Sequence, residues 1–176
     1  MATEQANTLQ GLQIAIQMEI DGKKFYLKTS EESGNELGRE LLQKLAAEED
    51  VHRHNFEIIY DGISRKKTWP TTNFKPDRGQ KLRTIFAAAS EEIGARIKAA
   101  TTEMDAIKMA MDMEIKSYDF YKSQSQAAAY SAQKDFYEAV AAEEREHHLI
   151  LLDYYEYLND PAAWFVAKEH SSLDGG

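Results

Sequence analysis

The chain contains no cysteine. This excludes disulfide staples, thiolate zinc sites and any iron held by sulfur, whether in a cluster or in a rubredoxin-type centre. It has three prolines, Pro70, Pro76 and Pro161, and none falls inside a periodic apolar segment, so long helices can run uninterrupted. No apolar run approaches the roughly 20 residues needed to span a bilayer. Residues 1–6 carry neither a basic n-region nor an apolar h-region, so a cytoplasmic protein is the expectation. Positive charge is also scarce. The 21 Lys and Arg against 30 Asp and Glu leave a net charge of −9, which disfavours nucleic acid and anionic membrane as partners.

What the sequence does contain is helical periodicity over a length of 176 residues, enough for one domain with a full core. Leu9, Leu12, Ile16, Glu19, Lys23 and Tyr26 recur at alternating spacings of three and four, which marks one face of a helix. Leu41, Leu45, Glu49, His52, Phe56 and Ile59 form a second such face. Met104, Ile107, Met111, Glu114, Tyr118 and Tyr121 form a third, and Phe136, Val140, Glu144, His147, Leu151, Tyr154 and Leu158 a fourth. The predicted helix pairs are about 5–33 with 37–61 and 103–127 with 131–158, joined by a connection over 62–102. Together they make a domain over 1–160, followed by a C-terminal tail, 161–176.

The expected stops are Ser33-Gly34-Asn35, Asp61-Gly62 and Asn159-Asp160-Pro161, and the expected caps are Thr102, with Asp105 three residues on, and Ser131. In the connection, Trp69-Pro70 and Phe74-Lys75-Pro76 read as an extended strap whose aromatics pack on the bundle. Residues 80–100 read as helical through Leu82, Ile85, Phe86, Ile93 and Ile97. Trp164 and Phe165 in the tail, with the strap aromatics, lie outside the four stripes, and such apolar surface predicts a homodimer.

The two halves repeat without a gap. Ala15, Met18, Glu19, Ile20, Phe25 and Tyr26 match Ala110, Met113, Glu114, Ile115, Phe120 and Tyr121 at an offset of 95 residues. Ala46, Ala47, Glu48, Glu49, His52 and Tyr60 match Ala141, Ala142, Glu143, Glu144, His147 and Tyr155 at the same offset. A repeated antiparallel helix pair implies an all-α four-helix bundle with a pseudo-twofold axis and one long crossover between the second and third helices.

Within the stripes stand residues that apolar packing does not call for. Glu49 with His52, and Glu144 with His147, are one helical turn apart, so each pair can present a carboxylate and an imidazole to one metal ion. Glu19 and Glu114 add one carboxylate per half. Four carboxylates in a dry core must take up protons or repel one another, whereas two divalent ions balance them. One nitrogen per metal in a carboxylate-rich set suits iron or manganese, and zinc can occupy it adventitiously. The simplest assignment makes Glu49 and Glu144 bridges, Glu19 and Glu114 terminal ligands, and His52 and His147 one cap each.

Tyr26 and Tyr121 lie two turns beyond Glu19 and Glu114 on the same faces, either as hydrogen-bond donors to the ligands or as carriers of an electron. Glu48 and Glu143, rotated by about 100° from the ligand face, read as solvated. His54 and His148 read as exposed, and Met104, Met111 and Met113 as core filler.

Glu19 with Phe25-Tyr26, Ala46 to His52, Met113-Glu114 with Phe120-Tyr121, and Ala142 to His147 together resemble the ferritin-like diiron domain of the rubrerythrin family, over about residues 5–158. The resemblance implies two iron ions in a carboxylate-bridged site that reduces hydrogen peroxide or dioxygen to water, as an oxidative-stress defence. Two departures qualify it. The cysteine-bearing rubredoxin-like domain of typical members is missing, which implies an external electron donor. The further glutamate that the family carries three residues before its third-helix ligand is Met111 here, and Ile16 is its first-helix counterpart. The resulting symmetric six-ligand site looks more like that of bacterioferritin, with less preference for peroxide and two nearly equivalent irons. Other readings of the same residues are a ferroxidase or iron-handling ferritin relative, a dimanganese catalase-like site, and a metal-free interaction bundle.

Overall fold

The computed structural model describes residues 2–66, 69, 70, 72, 74–80, 82, 83 and 101–173. Among them are five helices: α1 (Ala2–Glu32), α2 (Glu36–Lys66), α3 (Thr101–Gln126), α4 (Ser131–Asn159) and α5 (Pro161–Leu173). The fold is all-α, and α1 to α4 form a ferritin-like bundle. Side-chain contacts fix its directions. Gln5 reaches Ile63 and Lys23 reaches Asp50, so α1 and α2 are antiparallel. Glu103 meets Tyr154 and Ser125 meets Glu138, so α3 and α4 are antiparallel. Glu19 meets Tyr121 and Tyr26 meets Glu114, which sets α1 antiparallel to α3.

The end of α2 lies beside Gln5, while the start of α3 lies beside the α1–α2 turn, where Glu103 accepts from Ser33 Oγ at 2.6 Å and from Asn35 Nδ2 at 3.0 Å. The chain between them therefore travels the length of the bundle. Its described part runs along α4: Trp69 lies tilted against Phe136 and Tyr137, Phe74 meets Phe136, Arg78 reaches Glu143, and Gly79 lies against Glu146 and Ile150. The Arg78-Gly79 bend has positive φ at both residues, 55° and 68°. A Cβ on Gly79 would sit 2.9 Å from Ile150 Cδ1, so glycine is required there for space as well as for conformation. Gln80, Leu82 and Arg83 are helical, and the rest of the helix read over 80–100 lies outside the described residues.

The local signals that misled the sequence reading have physical causes. Asp61-Gly62 does not end α2, which continues to Lys66. Gly62 is where Pro70 of the strap approaches, since a Cβ there would lie 2.9 Å from Pro70 Cγ. Thr102 lies within α3 rather than ahead of it. Ser131 does not cap α4: Tyr130 precedes the helix without a side-chain cap, and Gln133 accepts the Ala129 N–H at 3.3 Å instead. Asp160-Pro161 stops α4 but also starts α5. Asp160 Oδ1 accepts the Ala163 N–H at 3.0 Å and proline occupies the first helical position, where its missing N–H costs nothing. The tail is thus largely helix, and it folds back on its own chain. Trp164 and Phe165 meet Tyr157 edge-on, and Trp164 Nε1 donates to Asp153 Oδ1 at 2.9 Å.

Apolar side chains form two clusters, and on each of α1 to α4 the stripe's ionisable residues lie between them. One holds Leu37, Leu41, Leu42, Leu45, Ile107, Leu151, Tyr154 and Leu82 of the strap. The other holds Leu12, Phe56, Ile59, Tyr121, Phe136 and Tyr137, and is strongly aromatic. The polar set is therefore sealed above and below by water-excluding layers, where electrostatic interactions are strengthened.

Candidate metal centre

Helical spacing brings all six stripe residues to the middle of the bundle. Glu19, Glu49, His52, Glu114, Glu144 and His147 are each no more than 4% exposed. Their donor atoms form two groups, Glu19, Glu49, His52 and Glu144 in one and Glu49, Glu114, Glu144 and His147 in the other, with every atom of a group within 4.8 Å of the rest. Glu49 and Glu144 belong to both. His52 Nδ1 lies 3.1 Å from Glu144 Oε1 and 3.4 Å from Glu19 Oε2. His147 Nδ1 lies 3.3 Å from Glu49 Oε1 and 3.6 Å from Glu114 Oε1. The two imidazoles stack with centroids 5.7 Å apart.

The set fits a metal pair on its own chemistry. Buried polar atoms are almost always hydrogen-bonded. Here Glu19 Oε2, Glu49 Oε1, both Glu144 carboxylate oxygens, His52 Nδ1 and His147 Nδ1 are buried without a hydrogen-bond partner. These are the atoms that face one another across the two groups, and all can ligate a hard or borderline divalent ion. The proton affinities tell the same story. Burial pushes the Glu49 carboxyl well up, reinforced by Glu19 and Glu144, and pushes Glu144 well up, reinforced by Glu114 and Glu19. Burial opposes the charged form of His147, yet Glu114 beside it raises its proton affinity well above the ordinary value. Burial also pushes Glu114 up, but His147, together with the hydrogen bonds from Glu144 and Tyr26, holds that carboxyl below its ordinary value. Cations placed among these groups would displace protons and supply the missing positive charge.

Around this set lies a second ring of contacts. The Tyr26 hydroxyl donates to Glu114 Oε1, and the Tyr121 hydroxyl donates to Glu19 Oε1. Burial first, then the neighbouring carboxylates, push both phenols well up, so both remain protonated donors. His147 Nε2 lies 2.9 Å from Glu48 Oε2, which places the ring proton on Nε2 and leaves Nδ1 facing the carboxylates. Glu143 is 3% exposed and accepts the Arg78 N–H at 2.7 Å. The reading of Glu48 and Glu143 as solvated is therefore wrong. Position alone turns them from the ligand face, but Glu48 is drawn to a histidine of α4 and Glu143 is covered by the strap. Their recurrence as Ala-Ala-Glu-Glu in both halves was the available signal. His54 is exposed as expected, whereas His148 is half-buried, its Nδ1 3.3 Å from the Met111 carbonyl.

The pseudo-twofold symmetry of the six does not extend to their surroundings. Phe74 of the strap covers His52, edge to ring at 5.7 Å. On the other side, Glu114 and Glu144 line a cleft of about 310 Å³ between α3 and α4, with Tyr118, Asp119, Arg145 and His148. Near-equivalence of the two metal positions, expected from the ligands alone, does not hold for their environments.

Comparison with curated proteins and with solved structures found no match to the chain. The rubrerythrin family model matches residues 11–155, from the first turns of α1 almost to the end of α4 and across all six stripe residues. The chain belongs to the rubrerythrin family.

Proposed function

We propose that the protein is a non-haem diiron oxidoreductase that reduces hydrogen peroxide or dioxygen, draws its electrons from an external donor, and serves in oxidative-stress defence. The observation that carries this reading is the sharing of Glu49 and Glu144 between two four-residue donor groups, the arrangement two bridged metals require. Glu19 and Glu114 would be terminal ligands and His52 and His147 would each give Nδ1. Bound iron would supply electrons and Lewis acidity to the oxidant.

The chain's own residues then have definable work. Tyr26 and Tyr121 hold the terminal carboxylates in place and keep a proton at hand in a site sealed by apolar layers. Glu48 fixes the tautomer of His147. Reduction of one hydrogen peroxide to two waters consumes two electrons and two protons, so a donor must restore the site after each turnover. No helix among the described residues is long and apolar enough to cross a membrane.

A homodimer is proposed as well: Trp69, Phe74, Trp164 and Phe165 pack against the core clusters but are only partly buried. It remains a proposal for sedimentation to read.

The test is to load metal-free protein with ferrous iron anaerobically, count the metal, and follow oxidation by peroxide and by dioxygen in stopped flow. Two irons per chain, oxidised rapidly with water as product, are expected. A multi-subunit cage that accumulates iron would favour the ferroxidase reading. Peroxide dismutation with manganese would favour the catalase-like one, and no metal uptake would leave the interaction bundle.

A further inference from the structure

The internal repeat provides a control for the cleft between α3 and α4. Each lining residue has a twin 95 positions earlier. Glu114 and Glu144 correspond to Glu19 and Glu49, while Tyr118, Asp119, Arg145 and His148 correspond to Lys23, Lys24, Asp50 and Arg53. The buried carboxylates are thus kept and the outer four residues are replaced. On the α1–α2 side, Lys23 Nζ donates to Asp50 Oδ1 at 2.9 Å, Arg53 Nε donates to the same oxygen at 3.0 Å, and Arg53 also pairs with Glu57 at 2.5 Å. The first contact ties α1 to α2, and the two others brace Arg53 along α2. Outside Glu19 and Glu49 this side holds three cations, Lys23, Lys24 and Arg53, beside two anions, Asp50 and Glu57. On the α3–α4 side the same four positions hold one cation, Arg145, one anion, Asp119, and Tyr118 and His148 in place of Lys23 and Arg53.

Two further observations separate the sides. Gly22 brings α1 so close to α2 that a Cβ there would lie 2.8 Å from Glu49 Oε2, whereas its twin is Ser117. Both oxygens of Glu144, which lines the cleft, are buried and without a hydrogen-bond partner. The cleft therefore leads from solvent to a carboxylate with ligating capacity to spare, and its twin is bridged and positively charged.

We propose that divalent metal ions reach the centre through the α3–α4 cleft, past Asp119 and His148 to Glu144, and that the Lys23–Asp50–Arg53 bridge closes the equivalent route on the α1–α2 side. This rests on the reading that the six buried side chains hold a metal pair.

The probe is cobalt(II) alone, mixed with metal-free protein and followed by its visible absorption in stopped flow, with the final stoichiometry from equilibrium dialysis. Rebuilding the twin's lid in the cleft, as Y118K/R145D/H148R, should slow loading by about tenfold, the lower end of electrostatic effects on association. Two ions per chain should still bind at equilibrium. Asp119→Lys alone changes one exposed side chain and should slow loading severalfold, the more so at low salt. The converse change, K23Y/D50R/R53H, should open a second route and raise the rate about twofold, as for two parallel paths. Loading at the wild-type rate in both cleft variants overturns the proposal while leaving the metal site standing. Failure of the wild-type protein to bind cobalt overturns both.

Discussion

Tyr26 on α1 hydrogen-bonds to Glu114 on α3, and Tyr121 on α3 hydrogen-bonds to Glu19 on α1. Each phenol therefore supports the first-stripe carboxylate of the opposite repeat, Glu114 or Glu19. The crossing follows from antiparallel packing: two turns beyond Glu19, α1 has reached the level at which Glu114 stands on α3. Neither half of the repeat is complete without the other, and the tyrosines couple them outside the shared carboxylates.

Removing one such bond leaves the ligand count intact. Partners of this kind are worth about 10- to 100-fold in metal affinity. Tyr26→Phe is expected to weaken binding within that range while still taking up two metals at saturation. Competition against a calibrated chelator reads the affinity. An unchanged affinity would reduce Tyr26 to core packing.

Loss of a shared carboxylate should be more severe. Glu144 belongs to both donor groups, so Glu144→Ala is expected to empty or halve the site. It also removes a buried carboxyl with unpartnered oxygens from the metal-free protein, whose thermal stability should hold or rise. Native mass spectrometry with a melting curve gives both readouts, and full occupancy would show that Glu144 is no ligand.

Gly22→Ala separates helix stability from site geometry. Alanine is favoured over glycine in a helix by about 1 kcal/mol, so the metal-free fold should not suffer. The new methyl would press on Glu49 Oε2, and metal affinity should fall. Equal affinity in mutant and wild type would mean that Glu49 relaxes without consequence.

The stripes, the repeat and the convergence of the six ionisable residues were legible because 3.6-residue periodicity fixes which side chains share a face. A glutamate among leucines at one offset in both halves has few structural explanations. The long-range partners were not legible. The seven-residue spacing puts Tyr26 on the face of Glu19 but does not say that its partner is Glu114. Glu143 looked solvated because the strap that covers it comes from another part of the chain, and the strap occurs once, so no repeat announces it. Gly62 and Pro161 were ambiguous for a simpler reason. Glycine serves close approach as well as helix ends, and proline serves helix starts as well as stops.

At the far end of the bundle, Glu103 is 6% exposed and accepts from Ser33, Gly34, Asn35 and Tyr154. Glu103→Ala would remove the acceptor these four groups share, at a cost of about 1–3 kcal/mol by the usual penalty for unsatisfied buried groups. Denaturant unfolding measures it. Metal stoichiometry should not change, because the clamp does not touch the centre. A loss under about 0.5 kcal/mol, the range of ordinary surface substitutions, would contradict the clamp.

The central claim is that these six side chains hold two metals between them. Anomalous diffraction from iron-loaded crystals tests it most directly. We expect two peaks about 3.5–4 Å apart, both touching Glu49 and Glu144, one beside Glu19 and His52 and the other beside Glu114 and His147. A single peak, or metal bound away from these residues, would contradict the account.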